Sequence, residues 1–239
     1  MQTSLKKKLL DFATEPYRPT GRFNYHWARG KLGGDPIFSA LLTRPILPDD
    51  ARVLDLGCGR GLLAAWLLGA ERLAAQGEWN GRITPPRGLR FRGIELMERE
   101  AVCGNRALQP LHGDRVRLSG GDMLAADLSE TDVIAILDVL HYVPYAEQER
   151  MLDRIRAALG TGGLFVTRVG NASGGLRFAC SQLVDACMSF AQGHRLARMW
   201  CRPLDEWKQA LETRGFEVQA IPMSAGTPFA NVMLVARVA

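Results

Sequence analysis

The sequence has 239 residues, of which 47% are hydrophobic and 23% charged, the balance of an ordinary globular domain with a sizeable core. No apolar run approaches the roughly 18 residues of a membrane-spanning helix, and the lysine-containing N-terminus has no signal-peptide core. The five cysteines form no C-x-x-C pair, which indicates a reducing compartment rather than a disulfide framework or a zinc site. We therefore expect a cytoplasmic protein without stable membrane insertion.

The formal net charge of +5 gathers in two arginine-rich stretches that contain no acidic residue, 82–92 and 194–202. Such stretches can attract nucleic acid, phosphate or an acidic partner protein, and solvated surface is the simpler alternative. Their arginines are Arg82, Arg87, Arg90 and Arg92 in the first stretch and Arg195, Arg198 and Arg202 in the second.

Strand-like and helical segments alternate from residue 52 onward, which predicts a mostly parallel sheet covered by helices on both faces. The last two predicted strands are separated by only seven residues, too few for a helical crossover, so they must pair antiparallel as a hairpin. The predicted strands are 52–57, 89–96, 115–122, 132–140, 164–170, 216–223 and 231–239, with helices at 62–75, 97–108 and 145–159.

Two segments lie outside this alternation. Residues 1–50 precede the first strand, and we interpret them as a helical cap that contributes to the substrate site. Residues 171–202 separate the fifth strand from the sixth and carry apolar residues at helical spacing. We interpret this insertion as a lid on the remaining domain, 51–239, and extra packing is the alternative for both segments.

The motif VLDLGCGRG ends the first strand and precedes an apolar helix. Gly57, Gly59 and Gly61 let the backbone approach a ligand closely. The dinucleotide-binding pattern G-x-G-x-x-G would need a glycine at position 62, where this chain has Leu62. Asp55 can accept a hydrogen bond from an amine of the ligand or orient the loop.

Two carboxylates follow the next strands. Glu95 ends the second strand, where a carboxylate can bind both hydroxyls of a ribose, whether of NAD or of another nucleoside. Asp122 follows the third strand, placed to accept from an adenine amino group, with the apolar Met123 against the ring. For Asp122, capping a helix is the alternative.

These motifs, together with DVLHYVP at 138–144 and the final hairpin, resemble the class I S-adenosylmethionine (SAM)-dependent methyltransferases over about 50–170 and 203–239. The resemblance implies an α/β Rossmann-like sheet of seven strands in the order 3-2-1-4-5-7-6, with strand 7 antiparallel. It also implies SAM as cofactor and S-adenosylhomocysteine as product. The cofactor-binding residues implied are Asp55, Gly57, Cys58, Gly59, Gly61, Glu95, Leu96, Asp122, Met123 and Asp138.

One departure from the family concerns the interval between the glycine motif and Glu95, which is longer than its members usually need. The excess is the loop 76–88, which we expect to bulge from the sheet. A surface excursion and a contact with a partner are both open for it.

The sulfonium methyl of SAM is already activated, so the protein mainly aligns an acceptor and excludes water. A phenol or alcohol also needs a base, usually histidine. The resemblance places the end of the fourth strand opposite the methyl, which favours His141, while a histidine that only shapes the loop is the alternative. His26 is the competing base, and Tyr142 can orient the acceptor.

Three acceptor classes are disfavoured. DVLHY lacks the N/D-P-P-Y loop that cradles adenine in DNA or glutamine. A magnesium-dependent catechol type needs clustered carboxylates, but the fifth strand offers Arg168 and no acid beside Asp138, so we expect no metal. RNA would suit the net charge, yet no aromatic platform or appended binding domain accompanies it, and we expect no nucleic-acid partner.

We therefore predict a small or acyl-carrier-protein-bound organic acceptor, methylated at a hydroxyl of an apolar or aromatic molecule. Residues 21–36 and the insertion also resemble, more loosely, bacterial methyltransferases of aryl-polyene and polyketide-like lipid pathways. That resemblance implies an aromatic head group on an acidic carrier protein. RNA or protein methylation and a non-catalytic SAM-binding partner protein remain alternatives, and the sequence does not determine the oligomeric state.

Overall fold

The computed structural model describes residues 1–170, 199–223 and 231–239. Its seven strands are β1 (Arg52–Leu56), β2 (Arg90–Glu95), β3 (Val116–Gly120), β4 (Val133–Leu137), β5 (Leu164–Gly170), β6 (Phe216–Pro222) and β7 (Asn231–Val238). They form one sheet in the order β3-β2-β1-β4-β5-β7-β6, and β7 is antiparallel to both of its neighbours. The predicted fold class, strand order and antiparallel last strand are confirmed.

Helices follow β1, β2 and β4 as predicted, whereas turns and loop join β3 to β4 and three α-helices precede β1. The α-helices described are α1 (Thr3–Thr14), α2 (Arg22–Gly34), α3 (Pro36–Thr43), α4 (Leu62–Ala75), α5 (Glu98–His112), α6 (Tyr145–Ala158) and α7 (Leu204–Glu212). Short 3-10 helices cover Glu15–Thr20, Gly113–Arg115 and Leu140–Tyr142. The bounds of α4 agree with the sequence prediction, whereas α5 continues past Pro110 and α7 was not predicted.

The fourth strand ends earlier than the sequence suggests. The predicted strand ran to Leu140, but β4 ends at Leu137 because Asp138 turns the chain with a left-handed φ of 61°. A non-glycine residue in this conformation is uncommon, and it leaves the extended region that a strand requires. The residues after 137 therefore form a turn instead of a strand end.

The chain divides into two compact units, residues 1–133 and 134–239. In the first unit, β1, β2 and β3 pair in parallel. β1 is nearly continuously buried, as expected for a parallel strand covered on both faces. The fully buried Trp66 of α4 donates from Nε1 to the carbonyl of Phe38 in α3 at 2.7 Å, which satisfies its only polar group.

The N-terminal helices belong to the core of the first unit. Leu5 and Leu9 of α1 are buried, and an added Cβ at Gly69 of α4 would lie 3.4 Å from Leu9 and from Ala13. These distances are close to ordinary van der Waals contact, so α1 packs directly against α4 at this point. No helix among the described residues is long and apolar enough to cross a membrane. The assignment of 1–50 as a cap over the substrate site stays a prediction.

In the second unit, β5 and β6 flank β7, with Leu164 opposite Arg237 and Phe216 opposite Val238. Trp207 and Leu211 of α7 are buried. Residues 171–198 of the predicted lid 171–202 lie outside the described residues, and so do residues 224–230 of the hairpin.

Three arginines of the two arginine-rich stretches pair with acidic residues of the fold, and the binding role of these stretches stays a prediction. Arg87 donates to the carboxylate of Asp49 from both its backbone N–H and its guanidinium, and Arg92 pairs with Asp127. Arg202 is only 9% exposed. It lies in the second unit with its guanidinium bonded to Gln148 and Glu149. Each of these three arginines thus has a partner within its own unit, and only that of Arg202 is a buried contact.

Candidate functional site

The glycine motif forms a left-handed loop between β1 and α4. Gly57, Gly59 and Gly61 have φ values of 77°, 54° and 74°, a conformation that side chains with a Cβ rarely adopt. An added Cβ at Gly59 would meet no atom within 4 Å, so open space lies in front of the loop there. At Gly61 it would lie 2.9 Å from Leu118 and 3.0 Å from Leu108. Gly61 is therefore required for packing, whereas Gly59 leaves room for a ligand.

Glu95 is held in place at the end of β2. Its Oε2 accepts from the backbone N–H of Gly59 at 2.9 Å, and its Oε1 accepts from that of Met97 at 3.0 Å. Each carboxylate oxygen can accept more than one hydrogen bond, so both can still receive a ribose hydroxyl. The neighbouring Leu96 is 73% exposed and offers an apolar surface. The sequence predicted the ribose role of Glu95 but not its bond to the glycine loop.

Asp55 and Cys58 are buried beside this loop, at 5% and 7% exposure. Burial raises the pKa of Asp55 to about 7, repulsion from Glu95 adds to that effect, and no hydrogen bond from the described residues offsets them. A cationic amine would favour the charged carboxylate, so Asp55 fits the amino group of an amino-acid-bearing nucleoside such as SAM. Burial also raises the pKa of the Cys58 thiol, which keeps it uncharged, and its place among the cofactor-binding residues stays a prediction.

We expect Asp55→Asn to raise the Tm of the ligand-free protein at pH 8 and to leave it nearly unchanged at pH 4. The folded-state pKa of about 7 exceeds the ordinary 3.8, so the protonated carboxyl stabilises the folded protein at low pH, and this stabilisation is lost as the pH rises through 7. The loss is at most about 4 kcal/mol at roughly 1.4 kcal/mol per pKa unit. Thermal unfolding between pH 4 and 8 measures it, and a Tm difference independent of pH would contradict it.

Asp122 closes a tight turn after β3. Its Oδ1 accepts from the backbone N–H of Leu124 at 2.9 Å, and its carbonyl accepts from that of Ala125 at 3.0 Å. Asp122 therefore caps a turn and not a helix, and its predicted role toward adenine stays a prediction. The carboxylate is exposed and retains Oδ2 as an acceptor for an adenine amine, while Met123 is buried at 8% exposure.

Asp138 forms an ion pair with an arginine of β5 in the second unit. The guanidinium of Arg168, itself nearly buried, donates to both oxygens of Asp138. A bidentate pair of this kind fixes the carboxylate and neutralises its charge. No group of three or more potential metal ligands occurs in the part of the chain that the structure describes. A cofactor role for Asp138 would have to act alongside this ion pair.

His141 and Tyr142 lie in the 3-10 turn Leu140–Tyr142, with their ring centroids 4.1 Å apart. Tyr142 is 38% exposed, and His141 is half-buried. The competing base, His26, is exposed on α2 in the first unit, next to the ring of Tyr25 at 5.1 Å. The structure therefore places the two candidate bases in different units.

The turn that carries His141 is held by Gln148, a residue that sequence reasoning missed. Gln148 is fully buried, and its Nε2 donates to the carbonyls of Leu140 and Val143, each at 2.9 Å. The backbone N–H of Trp200 also donates to the carbonyl of His141 at 2.7 Å. The sequence did carry a signal for this role. Gln148 shares the buried face of α6 with the apolar Met151, Leu152 and Ile155, and a polar residue at such a position needs hydrogen-bond partners.

A methyltransferase-domain family model matches residues 35–221, most of the chain. The chain belongs to the methyltransferase domain family. This confirms the sequence-based identification as a SAM-dependent methyltransferase with the class I Rossmann-like sheet. Neither the acceptor nor the roles of individual residues follow from the match.

The chain is similar to the ribosomal RNA small subunit methyltransferase A of Synechococcus sp. (strain WH7803), with 30% identity over 141 residues. That match covers 58% of this chain and 42% of the relative, so the chain spans less than half the length of that curated protein.

Two solved structures show the same fold. Magnesium protoporphyrin IX methyltransferase from Synechocystis PCC 6803 with bound SAM has 14% identity and a TM-score of 0.57, over 100% of this chain and 86% of that one. An O-methyltransferase from neocarzinostatin biosynthesis, solved with SAM and 2-hydroxy-5-methyl naphthoic acid, has 17% identity and a TM-score of 0.61, over 96% of this chain and 60% of that one.

Proposed function

We propose that this methyltransferase transfers the methyl group of SAM to a hydroxyl of a small or acyl-carrier-bound aromatic or apolar acceptor, with His141 as the base. The observation that carries the proposal is the fixed turn after β4. Its histidine is half-buried beside a tyrosine, at the strand end that the family resemblance associates with the methyl. The solved O-methyltransferase that was crystallised with a naphthoic acid has the same fold.

On the cofactor side, bound SAM supplies a methyl group activated by its sulfonium charge. Glu95 accepts hydrogen bonds from the ribose hydroxyls, and its own bonds to Gly59 and Met97 hold it ready for them. Asp55 receives the amino group, which draws its carboxyl into the charged form. Asp122 accepts from the amino group at the edge of the adenine, and Met123 packs against the face of the ring.

On the acceptor side, His141 removes the proton of the hydroxyl while the acceptor oxygen bonds to the methyl carbon and the carbon–sulfur bond breaks. The proton stays on the imidazole until solvent takes it, and S-adenosylhomocysteine leaves as a neutral thioether. Tyr142 lies against the imidazole ring and can orient the acceptor. Gln148 keeps this turn in one conformation, since it holds both of its ends.

RNA methylation is the second candidate, because the similar Synechococcus protein is a ribosomal RNA methyltransferase by name and the chain has a net charge of +5. Protein methylation and a non-catalytic SAM-binding role are further alternatives. Arg202 is buried and bonded to Gln148 and Glu149, so it is not available to an RNA, whereas Arg87 and Arg92 keep exposed side chains.

The test uses the purified protein with methyl-labelled SAM and three acceptor sets: free phenolic acids, the same acids on an acyl carrier protein, and ribosomal RNA. We expect label on a hydroxyl of an aromatic acceptor, with S-adenosylhomocysteine released in equal amount. Label in the RNA alone would contradict the proposal. Calorimetric SAM binding without product from any acceptor would favour the non-catalytic role.

A further inference from the structure

The N-terminal segment reaches the cofactor loop through one buried tyrosine. Tyr17, in the 3-10 helix Glu15–Thr20, has 0% exposure, and its hydroxyl donates to the carbonyl of Arg60 at 2.7 Å. Burial raises the pKa of Tyr17 well above its ordinary value, so the hydroxyl stays a neutral donor. A buried tyrosine hydroxyl usually has a hydrogen-bond partner. Here the partner is Arg60, which stands between Gly59 and Gly61 in the glycine loop.

The carbonyl of Arg60 and the N–H of Gly61 belong to the same peptide unit. That N–H donates to the carbonyl of Cys58 at 2.9 Å. Fixing the carbonyl therefore fixes the plane of this peptide and the turn that it closes around Gly59. The N–H of Gly59 in turn donates to Glu95. The bond from Tyr17 and the bond to Glu95 restrain adjacent parts of the same loop.

Helix α5 and the start of α2 complete the surroundings of Arg60. An added Cβ at Gly104 of α5 would lie 2.6 Å from the Arg60 carbonyl oxygen, so the helix passes directly against this peptide. The guanidinium of Arg60 pairs with Glu100 of α5, and its Cζ lies 5.4 Å from the centroid of the Phe23 ring. The N-terminal segment thus contacts Arg60 at its backbone and at its side chain.

We propose that Tyr17 is a positioning residue for the SAM site, which it reaches through its hydrogen bond to the Arg60 carbonyl. The physical reason is the freedom of the loop: three glycines with left-handed φ lose much entropy on ordering unless outside contacts order them beforehand. The inference rests on the proposed binding of SAM by this loop.

The test compares Tyr17→Phe with Thr14→Val as a matched control. Each variant removes one buried hydroxyl from the N-terminal segment, but Thr14 bonds to the Leu10 carbonyl within α1 and to Arg29, neither of which is in the loop. We expect Tyr17→Phe to raise the Kd for SAM about three- to tenfold, the effect of one neutral hydrogen bond, and to raise the KM for SAM without lowering kcat at saturation. Thr14→Val should bind SAM as the wild type does.

Titration calorimetry gives the Kd values, and thermal unfolding verifies that both variants are folded at the measuring temperature. Wild-type affinity in Tyr17→Phe, or an equal loss in Thr14→Val, would overturn the inference and leave the proposed function standing. A wild-type protein that binds no SAM would instead overturn the proposed function and the inference together.

Discussion

Replacing His141 by alanine is expected to lower turnover about 10²- to 10⁴-fold, the usual contribution of a positioned base, while the Kd for SAM changes by only a few-fold. A phenol with a pKa of about 10 is almost entirely neutral at pH 7, so its oxygen is a weak nucleophile until a base removes the proton. The assignment predicts that kcat falls without a matching loss of SAM affinity. Single-turnover rates at saturating SAM, together with calorimetric binding, measure the two effects separately.

His26→Ala is the control, because His26 is the competing base. It is exposed on α2, and its removal creates no cavity. If only His26→Ala abolishes turnover, the base has been assigned to the wrong unit. If neither variant lowers turnover, the acceptor is a carboxylate or an amine that needs no base, and methylation of a phenol is wrong.

Gly57→Val is expected to abolish calorimetric SAM binding, and Glu95→Ala to weaken it by about 1–3 kcal/mol. Position 57 has a left-handed φ of 77°, so valine is strained there and its methyl groups would also occupy the space of the ligand. Removing the carboxylate of Glu95 leaves the ribose hydroxyls without an acceptor and frees the N–H of Gly59 from its partner. Both effects act on the cofactor and not on the acceptor.

Gly77→Val is the matched control for the strain. Gly77 has a φ of 73° and no atom within 4 Å of an added Cβ, but it lies just beyond the end of α4. Its loss of stability should resemble that of Gly57→Val, and its SAM affinity should stay at the wild-type value. Unchanged SAM affinity in both Gly57→Val and Glu95→Ala would refute the assignment of the cofactor site.

Much of the fold could be predicted because its signals are local. The apolar run of β1 and the period of α4 are properties of short stretches, and the seven residues before β7 permit only a hairpin. The cofactor residues of the first unit could be proposed in the same way, since each lies at or close to the end of a strand. The predicted roles of Asp55, Glu95 and Asp122 remain predictions until binding is measured.

The early end of β4 could not be predicted in this way. The run from Val133 to Leu140 is apolar except for Asp138, and nothing local indicates that this aspartate turns left-handed. Arg168, which binds both of its oxygens, lies 30 residues further along the chain. The buried Gln148 gave a signal as a polar residue on an apolar helix face, but its three acceptor carbonyls are visible only in the folded chain.

The sequence by itself determined the alternation of strands and helices, the hairpin and the glycine loop, because periodicity, linker length and backbone freedom are set by residues close together in the chain. The strand order was implied by the family resemblance. The tertiary structure alone decided what holds the loop. Glu95 reaches Gly59 over 36 residues, and Tyr17 reaches Arg60 over 43. A hydrogen bond depends on the position of two atoms to within a few tenths of an ångström, and only the tertiary packing of the first unit, where α5 contacts both β2 and the 3-10 helix Glu15–Thr20, brings such distant residues to that distance.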